Sequence, residues 1–383
     1  MIVVCPMGGG SKLSQGLPTT CPGVLVDMRA LSQVIDYPAR DMTITVQAGI
    51  TFAKLNEILA TENQRLPIDV PFPERATLGG AIATNTSGPR RYGFGTFRDY
   101  VIGITTINDE GQETKAGGRV VKNVAGYDMC KLHIGACGTL GIISQVTLKV
   151  KPRPEQQAFV VAGCHDNELA RMLDAVHESR TQPVCVDVLN SALSQRLGEK
   201  IGLNLPTSAW VLLLGFEHNR EAVDWQVDQI RRELAALSIG TLLIVKGIEA
   251  DPIWQALTEA SFDPSASLLF KANLLPSGTA DFCSYLNSLS FKPGLHAHAG
   301  NGIVIGQLNS IPYLESAKDF IQEALTKTQT HQGNLVVLKC PVAWSKALPI
   351  WGAPRGDNWL MRAVKNKLDP KGLFNPGRFV DGN

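Results

Sequence analysis

The stretch Pro73-Glu-Arg-Ala-Thr-Leu-Gly-Gly-Ala-Ile-Ala-Thr-Asn-Thr-Ser-Gly-Pro-Arg-Arg-Tyr-Gly93 decides how the rest of the sequence is interpreted. It is rich in small residues and poor in large side chains, as expected where a flat ligand lies against the main chain. Thr77, Asn85 and Ser87 add hydroxyl and amide groups that could bind such a ligand. The stretch therefore predicts a ligand-binding segment, although tight turns alone would give a similar pattern.

Two further glycine-rich segments flank this stretch. Pro6-Met-Gly-Gly-Gly-Ser-Lys12 has three consecutive glycines, which let the backbone turn sharply and direct several N–H groups at one point, as in a phosphate cradle. It has neither G-x-x-x-x-G-K-[ST] nor G-x-G-x-x-G spacing. Lys122-Asn-Val-Ala-Gly-Tyr-Asp128 is followed by Gly135-Ala-Cys-Gly-Thr-Leu-Gly-Ile-Ile143, where glycine recurs at every third position. Because three such segments occur together, we predict one shared site.

The composition excludes several classes of protein. A length of 383 residues predicts two domains, and the balance of 36 basic and 35 acidic residues argues against nucleic-acid binding. No run approaches the roughly 20 apolar residues of a membrane span, and the start has no signal-peptide pattern. The eight cysteines form no C-x-x-C pair, which argues against an iron–sulfur or zinc site. We therefore expect a cytoplasmic protein whose thiols are reduced.

The spacing of apolar residues predicts an α+β protein. In the first part, Thr43–Gln47 alternates as a strand, Thr51–Asn63 has the apolar face of a helix, and Val101–Ile107 opens a hairpin. The prolines of Lys151-Pro-Arg-Pro-Glu155 interrupt this pattern and indicate a domain boundary. Beyond it, strand-like runs alternate with amphipathic helices, which predicts an antiparallel sheet with helices on one face. We therefore divide the chain into residues 1–151, 152–340 and 341–383.

At these segments the sequence resembles the PCMH-type flavoproteins of the vanillyl-alcohol-oxidase superfamily, and most closely the FAD-binding E subunit of glycolate oxidase (glycolate dehydrogenase). The matching residues are Ala76–Gly93, Val121–Asp128 with Gly138–Ile143, and the terminal Asn375-Pro-Gly-Arg378. The resemblance covers essentially the whole chain. It implies a PCMH-type FAD-binding domain of two α/β subdomains, an antiparallel-sheet cap domain that covers the flavin, and a C-terminal segment that returns to the FAD domain.

The resemblance also implies which residues hold the cofactor. Gly8 to Ser11 would belong to the pyrophosphate loop, and Asn375 and Arg378 would return toward the flavin ring. No histidine lies in Pro6–Lys12, where relatives with covalent flavin carry one, so we expect non-covalent FAD. The full set of expected FAD-binding residues is Pro6, Gly8, Gly9, Gly10, Ser11, Thr77, Leu78, Gly79, Gly80, Asn85, Ser87, Gly88, Tyr92, Gly93, Gly126, Gly138, Thr139, Gly141, Ile142, Ile143, Asn375 and Arg378.

The sequence departs from the family pattern at two places. The strand–helix unit that usually precedes the pyrophosphate loop is absent, since the loop begins at residue 6. Either the start is misassigned or this form is shortened, in which case the first subdomain would lack part of its sheet. Catalytic relatives carry a metal-binding motif H-x-G-D-G-N-x-H, whereas His296-Ala-His-Ala-Gly-Asn-Gly-Ile-Val304 has Asn for Asp and no third histidine. His296 and His298 would share one strand face, but two histidines make an incomplete metal site. We therefore predict no metal and assign no catalytic residue.

Three functional hypotheses follow. The leading one is an FAD-carrying subunit of a glycolate (2-hydroxy-acid) oxidase or dehydrogenase complex. It would act with a catalytic flavoprotein subunit and an iron–sulfur subunit, through which it would lie at a membrane surface. The cysteine spacing agrees, because this chain cannot build its own cluster. The alternatives are a self-sufficient FAD oxidoreductase on another alcohol or hydroxy acid, and a flavin-binding structural subunit. Arg90 and Arg91 could hold a carboxylate or phosphate, although such a pair is more often solvated or salt-bridged.

Overall fold

The structure, a computed structural model, describes residues 2–118, 127–237 and 242–382. The chain forms two compact units. The first comprises Met1–Ser87, Gly95–Arg153 and Pro354–Asn383, and the second comprises Gly88–Phe94 and Pro154–Ala353. The glycine-rich stretch Pro73–Gly93 is therefore divided between the two units.

A five-stranded sheet is the centre of the first unit. In chain order the strands of this unit are β1 (Val3–Met7), β2 (Gly23–Asp27), β3 (Val34–Asp36), β4 (Thr43–Gln47), β5 (Gln64–Arg65), β6 (Val101–Ile107), β7 (Glu113–Gly117), β8 (Ile142–Lys149) and β9 (Lys151–Pro152). The sheet has the order β3-β4-β8-β6-β7, and every neighbouring pair is antiparallel. The predicted hairpin is therefore confirmed as β6–β7. Strands β1 and β2 form a separate parallel pair, and β5 pairs with β9.

The early helices are α1 (Phe52–Ala60), α2 (Leu78–Ala83), α3 (Arg91–Phe94), α4 (Phe97–Tyr100) and α5 (Cys130–His133). Helix α1 begins where Thr51 Oγ1 accepts a hydrogen bond from the Lys54 amide at 3.2 Å, so Thr51 is its N-cap. Its residues Phe52, Leu55 and Leu59 are buried, as are Ile44 and Val46 of β4. Strand β1 leads directly into the first glycine-rich loop, and its last two residues, Pro6 and Met7, are also the first two of that loop.

The second unit is built on an eight-stranded antiparallel sheet of order β13-β10-β12-β11-β15-β16-β14-β17. Its strands are β10 (Gln156–Cys164), β11 (Cys185–Asn190), β12 (Trp210–His218), β13 (Leu242–Lys246), β14 (Leu268–Asn273), β15 (Gly294–His298), β16 (Ile303–Leu308) and β17 (Asn334–Lys339). Its longer helices are α6 (Leu169–Glu178), α7 (Ser191–Ile201), α8 (Arg220–Ala236), α9 (Asp251–Ala260), α10 (Thr279–Ser288) and α11 (Leu314–Thr330).

Helices cover both faces of the central strands, so the prediction of helices on one face is wrong. Along β10, consecutive residues such as Val160 and Val161 are both fully buried, and such neighbours point to opposite faces of a sheet. Val161 packs in a cluster with Leu193 of α7 and Leu257 of α9. Helix α8 also packs on β10 and β12. A strand that is buried on both faces carries an unbroken apolar run, which hides the alternation expected of a half-exposed sheet.

The carboxy-terminal segment completes the first unit. Helix α12 (Asn358–Leu368) leads to Phe374, which forms a parallel bridge with Val4 of β1. Further along, the Thr20 amide donates a hydrogen bond to the Pro376 carbonyl oxygen at 3.0 Å. Residues from the two ends of the printed sequence therefore lie side by side. Within the described ranges, no helix is both long and apolar enough to cross a membrane.

Candidate functional site

A cavity of about 300 Å³ lies in the first unit, and all three glycine-rich segments line it. The carboxy-terminal segment also contributes side chains to its wall. The fold therefore brings together segments that are far apart in the sequence. The expected FAD-binding residues in the lining are Pro6, Gly8, Gly9, Gly10, Ser11, Thr77, Gly79, Gly80, Gly138, Gly141, Ile142, Ile143, Asn375 and Arg378.

The first and second glycine-rich segments interlock at the wall of this cavity. A Cβ atom on Gly9 would lie 1.5 Å from the Arg75 carbonyl oxygen, and one on Gly8 would lie 1.9 Å from Thr77 Oγ1. The Arg75 guanidinium donates hydrogen bonds to the carbonyl oxygens of Gly9 and Gly10, at 3.2 and 3.3 Å. The first and second glycine-rich segments can therefore approach this closely only with glycine at positions 8 and 9.

The amides of the first loop are available to a ligand. Arg75 binds carbonyl groups of this loop. Among the residues that the structure describes, no group accepts a hydrogen bond from the amides of Gly9, Gly10 or Ser11. Successive backbone amides without partners form a natural anion site. The loop therefore fits the pyrophosphate of a dinucleotide cofactor.

The third glycine-rich segment meets the carboxy-terminal segment at the cavity. Cys137, Gly138 and Gly141 have φ values of 53°, 68° and 145°, so this part of the chain turns through backbone that favours glycine. A Cβ atom on Gly141 would lie 2.9 Å from the Ile107 carbonyl oxygen. Asn375 Nδ2 donates hydrogen bonds to the carbonyl oxygens of Cys137 and Gly138, at 3.0 and 3.3 Å. Asn375 thus connects two walls of the cavity.

Several expected FAD-binding residues do not line the cavity, and local packing explains most of them. Leu78 is fully buried in the core, and Thr139 Oγ1 donates a hydrogen bond to the Ala136 carbonyl oxygen. Gly88, Tyr92 and Gly93 belong to the second unit, where Tyr92 lies against Gly300. Gly126 lies outside the described residues. The described residues that were expected to bind FAD but do not line the cavity are Leu78, Asn85, Ser87, Gly88, Tyr92, Gly93 and Thr139.

Sequence reasoning missed part of the lining. Ala48 directly follows β4, and the Gly79 amide donates a hydrogen bond to its carbonyl oxygen at 2.7 Å. A small residue after a strand was the available signal, but its contact with α2 depends on the tertiary fold. The other lining residues that were not expected are Cys5, Met7, Lys12, Leu13, Thr19, Leu25, Met28, Ala83, Thr84 and Cys137.

A second group of polar side chains lies in the second unit. Asp187 of β11 faces His298 across a strand pair, and its carboxylate also reaches His296. The distances are 2.7 Å from Asp187 Oδ2 to His296 Nε2 and 2.8 Å from Asp187 Oδ1 to His298 Nδ1. All three residues are buried. The histidine pair therefore does have an acidic partner, which the sequence pattern did not reveal.

The charges of this group follow from its burial. Burial alone would raise the pKa of Asp187, but the neighbouring His298 and His296 hold that pKa well below its usual value. Burial lowers the pKa of His296, although Asp187 acts in the opposite direction. An ionised Asp187 accepts a hydrogen bond from His296 Nε2 and from His298 Nδ1, so the second nitrogen of each ring is His296 Nδ1 and His298 Nε2. Neither atom has a hydrogen-bond partner among the described residues.

Asp187, His296 and His298 are also the described residues that could hold a metal ion, since their ligand atoms lie within 4.8 Å of one another. In a tetrahedral zinc site, ligand atoms about 2.0–2.1 Å from the metal lie roughly 3.3 Å apart. The two contacts of Asp187 are shorter than this separation. A cation bound through the hydrogen-bonded atoms would therefore have to break both hydrogen bonds, and the absence of a metal stays our prediction.

Arg90 has a structural partner in the second unit. Its Nε donates a hydrogen bond to Glu217 Oε1 at 2.8 Å, and the Glu217 side chain is fully buried. The guanidinium carbon also lies 3.8 Å from the centre of the Trp254 ring. Such a stacked, paired guanidinium is held in place on both its edge and its face. Arg90 is therefore salt-bridged, which is one of the two fates expected for it from the sequence.

We expect the stability of the first unit to fall in acid because of His133, which lies between the two parts of the third glycine-rich segment. Burial lowers the pKa of His133 to about 4. The unfolded chain therefore binds the proton more readily, and stability is lost as the pH falls from about 6.5 to 4, by about 3 kcal/mol. Urea unfolding at several pH values should show this loss in the wild type but not in His133→Leu. The exposed His218→Leu is the control, and an unchanged profile in His133→Leu would contradict the prediction.

The chain is similar to flavin enzymes over its whole length. The FAD binding domain family matches residues 1–117, and the C-terminal domain family of FAD linked oxidases matches residues 356–379. D-2-hydroxyglutarate dehydrogenase of Xanthomonas citri pv. viticola is 32% identical over 401 residues, which cover 99% of this chain and 84% of that protein. The structure of p-cresol methylhydroxylase with substrate bound has a TM-score of 0.72 at 17% identity, and the match covers 98% of this chain and 84% of that one.

Two glycolate oxidase subunits match the chain in different ways. Subunit GlcD of Bacillus subtilis is 26% identical over 404 residues, which cover 98% of this chain and 83% of that protein. Subunit GlcE of Escherichia coli is 37% identical, but only over 148 residues, which cover 38% of this chain and 42% of that protein.

The cavity, the glycine loops and these similarities together define an FAD-binding oxidoreductase fold. The chain belongs to the superfamily of PCMH-type, vanillyl-alcohol-oxidase flavoproteins. The α+β fold class, the FAD cofactor and the oxidoreductase class predicted from the sequence are thereby confirmed.

Proposed function

We propose that this chain is the FAD-carrying subunit of a complex that oxidises glycolate or a related 2-hydroxy acid. The observation that carries the proposal is the cavity on which three glycine-rich segments and Asn375 converge. The relatives named as glycolate oxidase subunits support this substrate class. Bound FAD would supply the hydride acceptor for oxidation of the CH–OH group.

The chain's own residues would bind and orient the cofactor. The amides of Gly9, Gly10 and Ser11 fit the pyrophosphate, and Arg75 holds the loop in this conformation. Asn375 fixes the opposite wall through Cys137 and Gly138. Because no histidine lies in the first loop, we propose that FAD is bound non-covalently and is released when the protein is denatured.

Electrons would leave through partner subunits. None of the eight cysteines forms a disulfide, and five of them are buried. Among the described residues, no group of three cysteines lies together as a cluster ligand set. The described residues therefore offer no iron–sulfur cluster to which the flavin could pass its electrons. This supports the proposal of a catalytic flavoprotein subunit and an iron–sulfur subunit as partners.

A self-sufficient dehydrogenase is the second candidate, and one observation favours it. Asp187 holds His298 through Nδ1, and His298 Nε2 has no hydrogen-bond partner among the described residues, so the pair has the carboxylate–imidazole geometry used by general bases. The match to D-2-hydroxyglutarate dehydrogenase over 99% of this chain supports the same candidate.

Anaerobic flavin reduction separates these candidates. We expect the isolated, FAD-loaded chain to show little bleaching with glycolate, D-lactate or D-2-hydroxyglutarate, because the leading proposal places the base in the catalytic subunit and loss of a base lowers the rate by roughly 10²–10⁴. Addition of the catalytic flavoprotein and iron–sulfur subunits should restore turnover. Rapid bleaching in the isolated chain that is lost in His298→Ala, but kept in His331→Ala, would establish the second candidate. No bleaching even with the partners would indicate a structural subunit.

A further inference from the structure

Lys365 is a buried lysine whose ammonium group is fully used. It is 7% exposed, and its Nζ donates hydrogen bonds to the Thr139 carbonyl oxygen at 2.7 Å, to Asp369 Oδ2 at 2.5 Å and to the Phe374 carbonyl oxygen at 3.0 Å. An ammonium group has three N–H donors, so these three acceptors satisfy it. Lys365 thus joins three separate parts of the first unit.

Asp369 organises the turn that follows α12. Its Oδ1 accepts a hydrogen bond from the Leu373 amide at 2.9 Å, and its Oδ2 accepts one from the Phe374 amide at 2.9 Å. Asp369 as a whole is only 2% exposed. A buried carboxylate therefore closes the turn that immediately precedes Asn375.

The residues held by this ion pair are neighbours of cavity residues. Phe374 bridges Val4 of β1, and the Asn375 amide donates a hydrogen bond to the Val4 carbonyl oxygen at 3.2 Å. Thr139 follows Gly138, whose carbonyl oxygen accepts a hydrogen bond from Asn375 Nδ2. Neither Lys365 nor Asp369 lines the cavity. The pair therefore contacts both walls that Asn375 connects, one residue away from each.

Stability alone is a poor explanation for such a pair. Desolvation of two buried charges offsets most of their attraction, so buried ion pairs add little net stability compared with apolar residues of similar size. What they do impose is a defined geometry, because each hydrogen bond has a required direction. We infer that Lys365 and Asp369 are positioning residues for FAD, which hold Asn375 and the Gly138 carbonyl in the arrangement that the cofactor needs. The inference rests on the FAD site and not on the identity of the substrate.

The test is the affinity of the apo-chain for FAD. We expect Lys365→Met, which keeps the length of the side chain, to raise the dissociation constant of FAD roughly 10- to 100-fold, measured by quenching of flavin fluorescence. Lys367→Met, at an exposed position of the same helix, is the matched control and should bind FAD like the wild type. Circular dichroism and urea unfolding of each apo-variant report whether the fold is retained.

A double-mutant cycle with Asn375→Ala distinguishes positioning from a merely structural role. If Lys365 acts through Asn375, the two substitutions together should weaken FAD binding little more than Asn375→Ala alone, whereas independent effects would add. Wild-type affinity in folded Lys365→Met, or full additivity in the cycle, would overturn the inference. Should Lys365→Met not fold, Asp369→Asn keeps an oxygen acceptor for the Leu373 amide and is judged by the same two measurements.

Discussion

Gly9→Ala is expected to abolish FAD binding at micromolar cofactor, with a loss of affinity of about 100-fold or more. The new methyl group would lie 1.5 Å from the Arg75 carbonyl oxygen and 2.5 Å from its carbon, so the two segments could not keep their present contact. The displaced loop would lose the hydrogen bonds from Arg75 and the alignment of its amides. The purified variant should be colourless, and titration with FAD should show no quenching.

Two further variants make this result interpretable. Gly356→Ala adds a methyl group where nothing lies within 4 Å, and it should bind FAD normally. Gly80→Val places its bulk at the cavity, where the first added carbon meets only Thr77 Oγ1 at 3.1 Å. We expect it to fold but to lose FAD, because the obstruction lies in the cavity and not between the segments. Yellow, flavin-saturated Gly9→Ala protein would contradict the assignment of this loop.

Asp187→Leu is expected to destabilise the second unit by about 4 kcal/mol. The substitution keeps the shape of the side chain but leaves two buried imidazoles without their acceptor, and each unsatisfied group costs about 1–3 kcal/mol. The melting temperature should fall by roughly 10 °C in a unit of this size, measured by differential scanning calorimetry. Asp174→Leu, at an exposed position of α6, is the control and should change it by less than about 2 °C.

The pH dependence of the Asp187 group has a defined sign. Since the pKa values of Asp187 and His296 are both lowered, the folded group binds fewer protons than the unfolded chain. Its stabilisation is therefore present at neutral pH and decreases as the pH falls below about 6.5. A melting temperature that is the same for Asp187→Leu and the wild type would contradict this account. A lower wild-type value in EDTA would contradict the prediction that no metal is bound.

The parts of the fold that could be predicted carry their signal locally. Thr43–Gln47 alternates cleanly because one face of β4 is buried, and Thr51 is recognisable as a cap before an apolar helix face. The glycine segments were recognisable because close approach leaves no alternative at positions such as Gly8 and Gly9. For the same reason most of the residues expected to hold FAD do line the cavity.

The parts that could not be predicted depend on pairing between distant segments. Asp187 meets His298 only because β11 pairs with β15, and the two residues are 111 positions apart. The run Gly294-Leu-His-Ala-His298 contains only two apolar residues, Leu295 and Ala297, so β15 gave only a weak strand signal. Lys365 resembled any other lysine of an amphipathic helix, although its partner Thr139 is 226 positions away. Only tertiary structure distinguishes such residues from solvent-exposed ones.

The closure of the first unit by its carboxy-terminal segment sets the order of events during synthesis. Arg378 donates a hydrogen bond to the carbonyl oxygen of Leu13, a residue made 365 positions earlier. At about 5–20 residues per second, a ribosome needs roughly 20 to 70 seconds to cover that distance. During this time β1 lacks the backbone bridge that Phe374 later forms with Val4. The cavity wall that contains Asn375 and Arg378 therefore forms only after the carboxy-terminal segment has been made.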